Sequence, residues 1–343
     1  MEQHLLSGGS LLDEQGRLRE AGYATSLVKT YDRGAIRAGK SRIKEWDYYL
    51  IYNDRFGVAL TLDDNSYMGM VSASFLDFDL PAERTVSPMF WFPFGKTGFP
   101  ASSAAGNVEK SMKGAFGSFT HEDGGRRLVF CIENFADGKP FCCDIRLTDE
   151  PRDSMVIATP FPKKPTAFYY NQKIIAMRAE GYAEVHGERF VFDPKDSFGL
   201  LDWGRGVWTY DNTWYWSAAQ GTVDGHTFGF NLGYGFGDTS AASENMLFLD
   251  GVAHKLDRVT FGIPQRNGRD DFLSPWHFSD NEGRLALTFT PILDRSSKTD
   301  ALVICSDQHQ VFGRFSGTVT LDDGTALRLD NLLGFAEKVR NRW

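Results

Sequence analysis

The chain has 343 residues, of which 42% are hydrophobic and 24% are charged, a balance typical of a packed globular protein rather than a disordered one. Its formal net charge of −8 offers no global positive field to phosphates, so nucleic acid is not an expected partner. The length exceeds the usual size of one core and predicts two domains, or two halves that share an extended core.

The apolar runs of the chain are short. The longest, such as residues 246–249 and 301–305, fall far below the roughly 20 residues that span a bilayer, so no integral membrane segment is expected. The first residues, Met1-Glu2-Gln3-His4, lack the basic and apolar regions of a signal peptide. These features predict a cytoplasmic protein.

The predicted secondary structure is almost entirely strand. In chain order we expect a short helix at residues 16–23, a helical turn near 103–111, and strands at 46–52, 58–62, 68–78, 127–132, 141–147, 214–219, 227–233 and 285–290. Tight hairpin turns are predicted where Asp precedes Gly, because glycine tolerates positive φ. These pairs are Asp123-Gly124, Asp137-Gly138, Asp224-Gly225, Asp250-Gly251 and Asp323-Gly324. Many short strands with regular turns indicate an all-β sandwich or barrel.

A repeated glycine spacing suggests where the two halves meet. Gly187 precedes Gly204 by 17 residues, and Gly317 precedes Gly334 by the same interval, with a turn and an apolar run between the members of each pair. We therefore predict an N-terminal β half with a short helix at residues 1–190 and a C-terminal β half at 191–343.

The sequence predicts no metal centre and no organic cofactor. Its four cysteines, Cys131, Cys142, Cys143 and Cys305, form no C-x-x-C pair and are interpreted as free buried thiols outside any disulfide framework. Residues 34–41 match the phosphate-loop pattern G-x-x-x-x-G-K-[ST], but that loop requires a following helix, and residues 42–51 have the pattern of a strand. A nucleotide site is therefore not expected there.

The most informative segment is residues 199–216, which combines one acid with clustered aromatic residues. In an extended chain Asp202 and Trp208 lie on one face, whereas Trp203 and Arg205 lie on the other. Glycines between them leave room for a ligand. The predicted substrate-binding residues are Trp203, Trp208, Tyr210, Trp214, Trp216 and Tyr234.

Two interpretations of Asp202 remain open at this level. A carboxyl desolvated among aromatic rings has a raised pKa and can act as a general acid, while the ring faces stabilise a developing cation. Alternatively, a bulge at a neighbouring glycine turns Arg205 toward Asp202, and the two residues form a structural ion pair.

At this segment the chain resembles a bacterial family known as domain of unknown function 2804, on the motif Asp202-Trp203-Gly204-Arg205-Gly206. Residues 19–24, 45–49 and 334–337 are also similar to that family. It is in turn similar to a two-lobed, lipocalin-like group that contains carotenoid hydratases of the hydroxyneurosporene synthase type, tocopherol cyclase and fungal β-barrel Diels–Alderases.

The resemblance implies two consecutive calycin-like or lipocalin-like antiparallel β-barrels or sandwiches, with a ligand pocket between or within them. Enzymes of that group act on apolar polyenes or terpenoids without an organic cofactor, and often begin by protonating an alkene. Their motif has an Asp-His pair where this chain has Asp202-Trp203. Glu337 corresponds to a C-terminal Gly-x-x-Glu element and is a second candidate acid.

Three functions follow as hypotheses. The first is a cofactor-independent hydratase, isomerase or cyclase acting on a hydrophobic small molecule, with Asp202, Arg205 and Glu337 as candidate catalytic residues. The second is a lipid- or terpenoid-binding protein without chemistry, for which the same pocket suffices. The third is a carbohydrate-active β-sandwich, in which aromatic rings stack on sugars and two carboxylates act on the glycosidic bond.

Overall fold

The computed structural model describes residues 3–301 and 304–342, and their regular secondary structure consists almost entirely of strands in antiparallel β-sheets. Within these residues there is no α-helix, and the helical elements are two short 3-10 turns at Arg33–Ala35 and Lys40–Arg42. The helix predicted at 16–23 is therefore wrong. Asp13 binds the backbone amides of Gln15 and Arg17 in a turn, and Gly22–Ala24 then pairs as a strand with 156–158.

The N-terminal lobe, residues 22–207, is built on a 14-stranded sheet. Its principal strand order is β7-β6-β5-β4-β16-β14-β12-β11-β10-β9, whereas β1 and β3 form a separate parallel pair. The strands of this part of the chain are β1 (Gly9–Ser10), β2 (Gly22–Ala24), β3 (Lys29–Thr30), β4 (Ile43–Tyr52), β5 (Phe56–Asp64), β6 (Met68–Asp77), β7 (Ala82–Val86), β8 (Met89–Trp91), β9 (Val108–Met112), β10 (Ala115–Glu122), β11 (Gly125–Ala136), β12 (Lys139–Thr148), β13 (Met155–Pro160), β14 (Phe168–Val185), β15 (Glu188–Phe192) and β16 (Phe198–Val207).

The C-terminal lobe, residues 211–342, is built on a nine-stranded sheet in its described part, with the order β20-β19-β18-β17-β27-β26-β25-β24-β21. A further hairpin joins β22 to β23. The strands are β17 (Asp211–Val223), β18 (His226–Tyr234), β19 (Met246–Leu249), β20 (Val252–Lys255), β21 (Val259–Gly262), β22 (Gln265–Arg266), β23 (Arg269–Asp270), β24 (Trp276–Asp280), β25 (Leu285–Ala301), β26 (Ile304–Thr320) and β27 (Ala326–Arg342).

These two lobes confirm the predicted all-β, two-lobed fold. The change from one sheet to the other follows Val207, later than the predicted division at 190/191. The reason is that β16 is hydrogen-bonded along its length between β4 and β14, which makes it part of the first sheet.

All five Asp-Gly pairs lie in hairpin turns, which confirms that prediction. They connect β10 to β11, β11 to β12, β17 to β18, β19 to β20, and β26 to β27. Asp224 and Gly225, for example, have φ of 50° and 84°, the left-handed conformation that a tight β-turn requires.

Each sheet curls around an interior filled by aromatic side chains. In the N-terminal lobe the rings of Tyr49 on β4 and Phe119 on β10 are 4.5 Å apart across the interior. In the C-terminal lobe Phe230 on β18 packs edge-on against Phe315 on β26 at 5.0 Å. Because these interiors are occupied, space for a ligand must be sought outside them.

The interpretation of all four cysteines as free thiols is wrong. Cys131 and Cys142 are directly opposite on β11 and β12, with Cα atoms 4.1 Å apart, and are joined by a disulfide bond. The pairing depends on the hairpin register, which brings the two positions side by side. Cys143 and Cys305 are free.

No helix among the described residues is long and apolar enough to cross a membrane.

Candidate active site between the two lobes

A cavity of about 250 Å³ lies between the outer faces of the two lobes. Its lining combines aromatic rings with ionisable and amide side chains. The residues that line it are Trp46, Tyr48, Thr61, Asp63, Asn65, Met70, Tyr169, Lys173, Asp202, Trp208, Trp214, Trp216, Phe236, Glu244, Arg295, Gln308, Gln310, Glu337 and Asn341. We refer to this space as the interlobe cavity.

The N-terminal lobe contributes a row of polar side chains from three neighbouring strands. Tyr48 on β4, Asp202 on β16 and Lys173 on β14 are register partners across the sheet. Alternation along each strand turns all three side chains to the outer face. The opposite face of β16 carries Trp203 and Arg205 into the lobe interior.

Asp202 is buried, with 8% of its surface exposed, and is bound by three donors. The Nζ of Lys173 lies 2.9 Å from Oδ1. The Nδ2 of Asn171 donates to the same oxygen at 2.6 Å, and the indole Nε1 of Trp46 donates to Oδ2 at 3.2 Å. The ion pair and the two hydrogen bonds fix the orientation of the Asp202 carboxylate in the cavity wall.

Gly204 makes the contact between Trp46 and Asp202 feasible. A Cβ atom at position 204 would lie 1.9 Å from Cζ2 of the Trp46 indole, far inside van der Waals contact. The glycine therefore lets the indole lie flat over β16 and reach the carboxylate two residues earlier. This gives the glycine in the Asp-Trp-Gly segment a physical role.

Lys173 also connects the two lobes. Its Nζ lies 3.9 Å from the centroid of the Trp216 ring on β17, a cation–π contact with the C-terminal lobe. The Trp216 Nε1 donates to Asn231 Oδ1 at 2.7 Å, which orients the indole.

The C-terminal lobe contributes a second row, formed by Trp216, Glu337, Gln310 and Arg295 on successive strands β17, β27, β26 and β25. Glu337 is 8% exposed. Its Oε1 accepts from Trp214 Nε1 at 2.9 Å, and its Oε2 accepts from Gln310 Nε2 at 3.1 Å. Burial raises the pKa of Glu337 to about 7, and the charge of Asp202 acts in the same direction.

Gln310 is held in one orientation by its own acceptor oxygen. Arg295 Nη1 donates to Gln310 Oε1 at 2.7 Å, and the Tyr48 hydroxyl donates to it at 3.4 Å. With the oxygen so engaged, the amide nitrogen faces Glu337. Arg295 thus orients the amide that binds the acid, and the charge of its guanidinium also lowers the pKa of Glu337.

Two further acids line the interlobe cavity. Burial raises the pKa of Asp63 to about 7, although Asn65 and the Met70 amide donate to it. Burial also raises the pKa of Glu244, whose carboxylate lies 3.4 Å from Asn231 Nδ2. Burial in the cavity therefore disfavours the charged forms of both acids.

Aromatic rings close the remaining side of the cavity. Trp46 stacks on Tyr169 at 6.1 Å and meets Trp208 edge-on at 5.2 Å, and Phe236 contacts both Trp208 and Trp214. The Nε1 of Trp208 is buried and has no hydrogen-bond partner among the described residues. Trp208 and Tyr169 both line the cavity, so each brings a polar atom to its wall.

The structure brings together five of the residues predicted for the site: Asp202, Glu337, Trp208, Trp214 and Trp216. It places four others elsewhere. Trp203 and Arg205 lie in the interior of the N-terminal lobe, Tyr210 is 48% exposed, and Tyr234 stacks on Tyr215 at 4.5 Å away from the cavity.

Arg205 does not bind Asp202. Its Nη1 donates to Asp47 Oδ1 and to the carbonyl of Trp46, and its guanidinium lies 4.2 Å from the Trp203 ring. No bulge interrupts the pairing of β16 with β4, so the alternation keeps the two side chains on opposite faces. The partner of Asp202 is Lys173.

Several residues of the cavity were missed from the sequence, above all Trp46, Lys173 and Gln310. Lys173 and Trp46 belong to strands that pair with β16 from distant parts of the chain, and a single sequence does not specify that pairing. One sequence pattern could have indicated part of this set: the alternation in residues 45–49 places Trp46 and Tyr48 on one face of a strand.

Comparisons with solved structures show the same two-lobed fold. Kievitone hydratase from Nectria haematococca aligns with a TM-score of 0.50 and 14% identity, over 92% of this chain and 97% of that one. A protein assigned as AttH from Nitrosomonas europaea aligns with a TM-score of 0.51 and 14% identity, over 88% and 93%. No curated protein matches this sequence.

The family comparison covers almost every residue. The model of one family matches residues 2–343, in agreement with the resemblance seen in the motif segment. The chain belongs to the family described as domain of unknown function, DUF2804.

Proposed function

We propose that the interlobe cavity is the active site of a cofactor-independent hydratase that adds water to, or removes it from, an alkene in a small and largely apolar molecule. Glu337 is the general acid. The observation that carries the proposal is its environment: a buried carboxyl with a pKa of about 7, bound by neutral donors and facing a cavity lined by aromatic rings. A group of this pKa supplies a proton near neutral pH.

The reaction begins with transfer of the Glu337 proton to one alkene carbon, which leaves a cation on the other. The faces of Trp46, Trp208 and Trp216 stabilise that cation through their ring quadrupoles. Water then forms the new C–O bond, and the proton it loses passes to the Asp202 carboxylate. Asp202 releases this proton to solvent and Glu337 takes one up from solvent, so the net change is addition of one water molecule.

This assignment differs from the prediction that Asp202 is the proton donor. The Asp202 carboxylate is paired with the Lys173 ammonium at 2.9 Å and accepts hydrogen bonds from Asn171 and Trp46. We therefore assign Asp202 to bind the attacking water and take up its proton, and Glu337 to donate the first proton. The shared fold with a protein named kievitone hydratase supports the reaction class but says nothing of the substrate.

The cavity volume argues for a small substrate or for the end of a longer one. About 250 Å³ lies just below the roughly 300 Å³ at which pockets for drug-sized ligands begin. A complete long polyene therefore exceeds the enclosed space. Tyr169 lines the cavity, and its hydroxyl suits a substrate with one polar group near its alkene.

A non-catalytic ligand-binding protein is the second candidate. It is favoured by the three donors that already bind Asp202, because a carboxylate with these partners is suited to holding the cavity in shape. The two candidates differ in whether bonds to water are made or broken.

The deciding experiment uses water labelled with ¹⁸O and a panel of prenylated phenols and terpenoid alkenes, chosen after organic extraction of the purified protein. We expect ¹⁸O incorporation by the native chain and a loss of at least about 100-fold in Glu337→Gln, with ligand retention unchanged in native mass spectrometry. Glu184→Gln, in an exposed pair with Arg189, is the control. Incorporation that persists in Glu337→Gln excludes Glu337 as the acid. If the native chain retains a ligand but incorporates no ¹⁸O into it, the second candidate, a non-catalytic binding protein, is favoured.

A further inference from the structure

An exposed aromatic segment lies beside the interlobe cavity at residues 89–94. Its side chains Met89, Trp91, Phe92 and Phe94 are 48%, 62%, 63% and 45% exposed. Single exposed apolar residues are ordinary on a protein surface, but four within six positions form a patch that calls for an explanation. We refer to these four residues as the 89–94 patch.

The patch is held in place by the backbone. Phe92 and Phe94 have φ of 57° and 49°, a region that bulky residues rarely adopt. The amide of Phe92 donates to the Tyr67 carbonyl and that of Phe94 to the Ser66 carbonyl, and the two rings stack at 6.1 Å. These bonds maintain a conformation that directs aromatic rings into solvent, although burying them would be favourable.

The patch is continuous with the cavity wall. Met89 is the register partner of Met70, which lines the cavity, and Trp91 is the partner of Met68. Cross-strand partners share a face, so Met68, Met70, Met89 and Trp91 extend the outer face of the N-terminal lobe from the cavity to the patch.

An exposed cation accompanies the rings. Lys96 follows the patch in the chain and is exposed. Asp64, the last residue of β5, accepts from the Gly95 amide and the Thr97 hydroxyl, which fixes the loop beside Lys96. Although the whole chain carries −8, this surface therefore combines aromatic side chains with an exposed lysine.

We propose that the 89–94 patch docks on the interface of a bilayer that contains anionic phospholipid. Tryptophan and phenylalanine settle at the level of the lipid headgroups, and lysine side chains add attraction to anionic lipid. Docking there places the outer face that leads to Met70 against the bilayer, so an apolar molecule can pass between membrane and cavity. The proposal does not depend on catalysis and holds equally for a binding protein.

Vesicle flotation of the full chain tests the proposal, with phosphatidylcholine alone and with phosphatidylcholine mixed with phosphatidylglycerol. We expect binding to the mixed vesicles that weakens with salt, and a loss of at least about tenfold in Trp91→Ala/Phe92→Ala. The matched control is Leu273→Ala, which removes a side chain of 62% exposure on the C-terminal lobe. Circular dichroism checks that each variant folds.

A second measurement locates the contact even if the double variant does not fold. Lipids brominated in the acyl chain are expected to quench the tryptophan fluorescence of the native chain more than that of Trp91→Phe. If the native chain floats with neither type of vesicle, the proposal is overturned. It is also overturned if Trp91→Ala/Phe92→Ala floats as well as the native chain does. A dimer in analytical ultracentrifugation that the double variant abolishes, without vesicle binding, assigns the patch to a second copy of the chain instead.

Discussion

Asp202 and Glu337 face the same cavity from opposite lobes and are equally buried, each 8% exposed, yet their partners differ in charge. Asp202 meets the ammonium of Lys173, whereas Glu337 meets the indole of Trp214 and the amide of Gln310. Burial raises the pKa of Glu337 to about 7, although the Trp214 hydrogen bond and the charges of Lys173 and Arg295 lower it. Two equally buried acids therefore differ in the charge of the groups that bind them directly, and the proposed function makes Glu337 the proton donor.

The largest expected effect comes from removing the cation. Lys173→Met leaves the Asp202 carboxylate buried without its ion-pair partner, and we expect a loss of about 3–5 kcal/mol in the free energy of unfolding. Urea denaturation measures it. In the double variant Lys173→Met/Asp202→Asn part of this loss should be recovered, because the uncompensated charge is gone. If Lys173→Met is as stable as the native chain, the ion pair between Lys173 and Asp202 does not contribute to the free energy of unfolding.

The next effect is the dependence of stability on pH. Because the pKa of Glu337 rises to about 7 on folding, from near 4.5, the folded state binds more protons between these values. Stability from this group is therefore present below pH 4.5 and is lost as pH rises to 7. The shift corresponds to about 3 kcal/mol. Denaturation of Glu337→Gln across this range should show a correspondingly flatter profile than the native chain, and parallel profiles would contradict the assignment.

A smaller effect is expected where the backbone positions a donor for Asp202. Gly204→Ala places a methyl group against the Trp46 ring, and we expect about 1–3 kcal/mol of destabilisation from the displaced indole. Gly39→Ala is the matched control, since no atom lies within 4 Å of its added Cβ and its φ is not positive. Thermal unfolding compares the two variants. Equal melting temperatures for Gly204→Ala and Gly39→Ala would show that Gly204 is not needed for packing of the Trp46 indole.

The smallest effect sharpens the contrast between the acids. Trp214→Phe removes a hydrogen bond that lowers the pKa of Glu337, so that pKa should rise above about 7 by up to roughly one unit. Infrared difference spectra of the carboxyl, assigned with Glu337→Gln, follow the titration. Trp216→Phe is the control, because its Nε1 binds Asn231 rather than Glu337. If the pKa of Glu337 shifts in Trp216→Phe and not in Trp214→Phe, Trp214 is not the residue whose hydrogen bond lowers that pKa.

The residues that sequence analysis placed correctly share one property: their position follows from local alternation or a local turn. Asp202 and Trp208 lie on one face of the chain as predicted, and the Asp-Gly pairs form hairpins. Lys173, by contrast, meets Asp202 only because β14 pairs with β16, and Gln310 meets Glu337 only because β26 pairs with β27. Cys131 and Cys142 came together for the same reason.

Local residue patterns specify the class of fold, the turns, and which side chains share a face of each strand, because a period of two and the freedom of glycine act over a few residues. Which face is covered depends on tertiary contacts. Trp203 and Arg205 turn into a curled sheet, whereas Asp202 turns toward the other lobe, and nothing in residues 199–216 predicts which face is which. Strand pairing and lobe contact join residues far apart in the chain, and those contacts set the partners of the two acids.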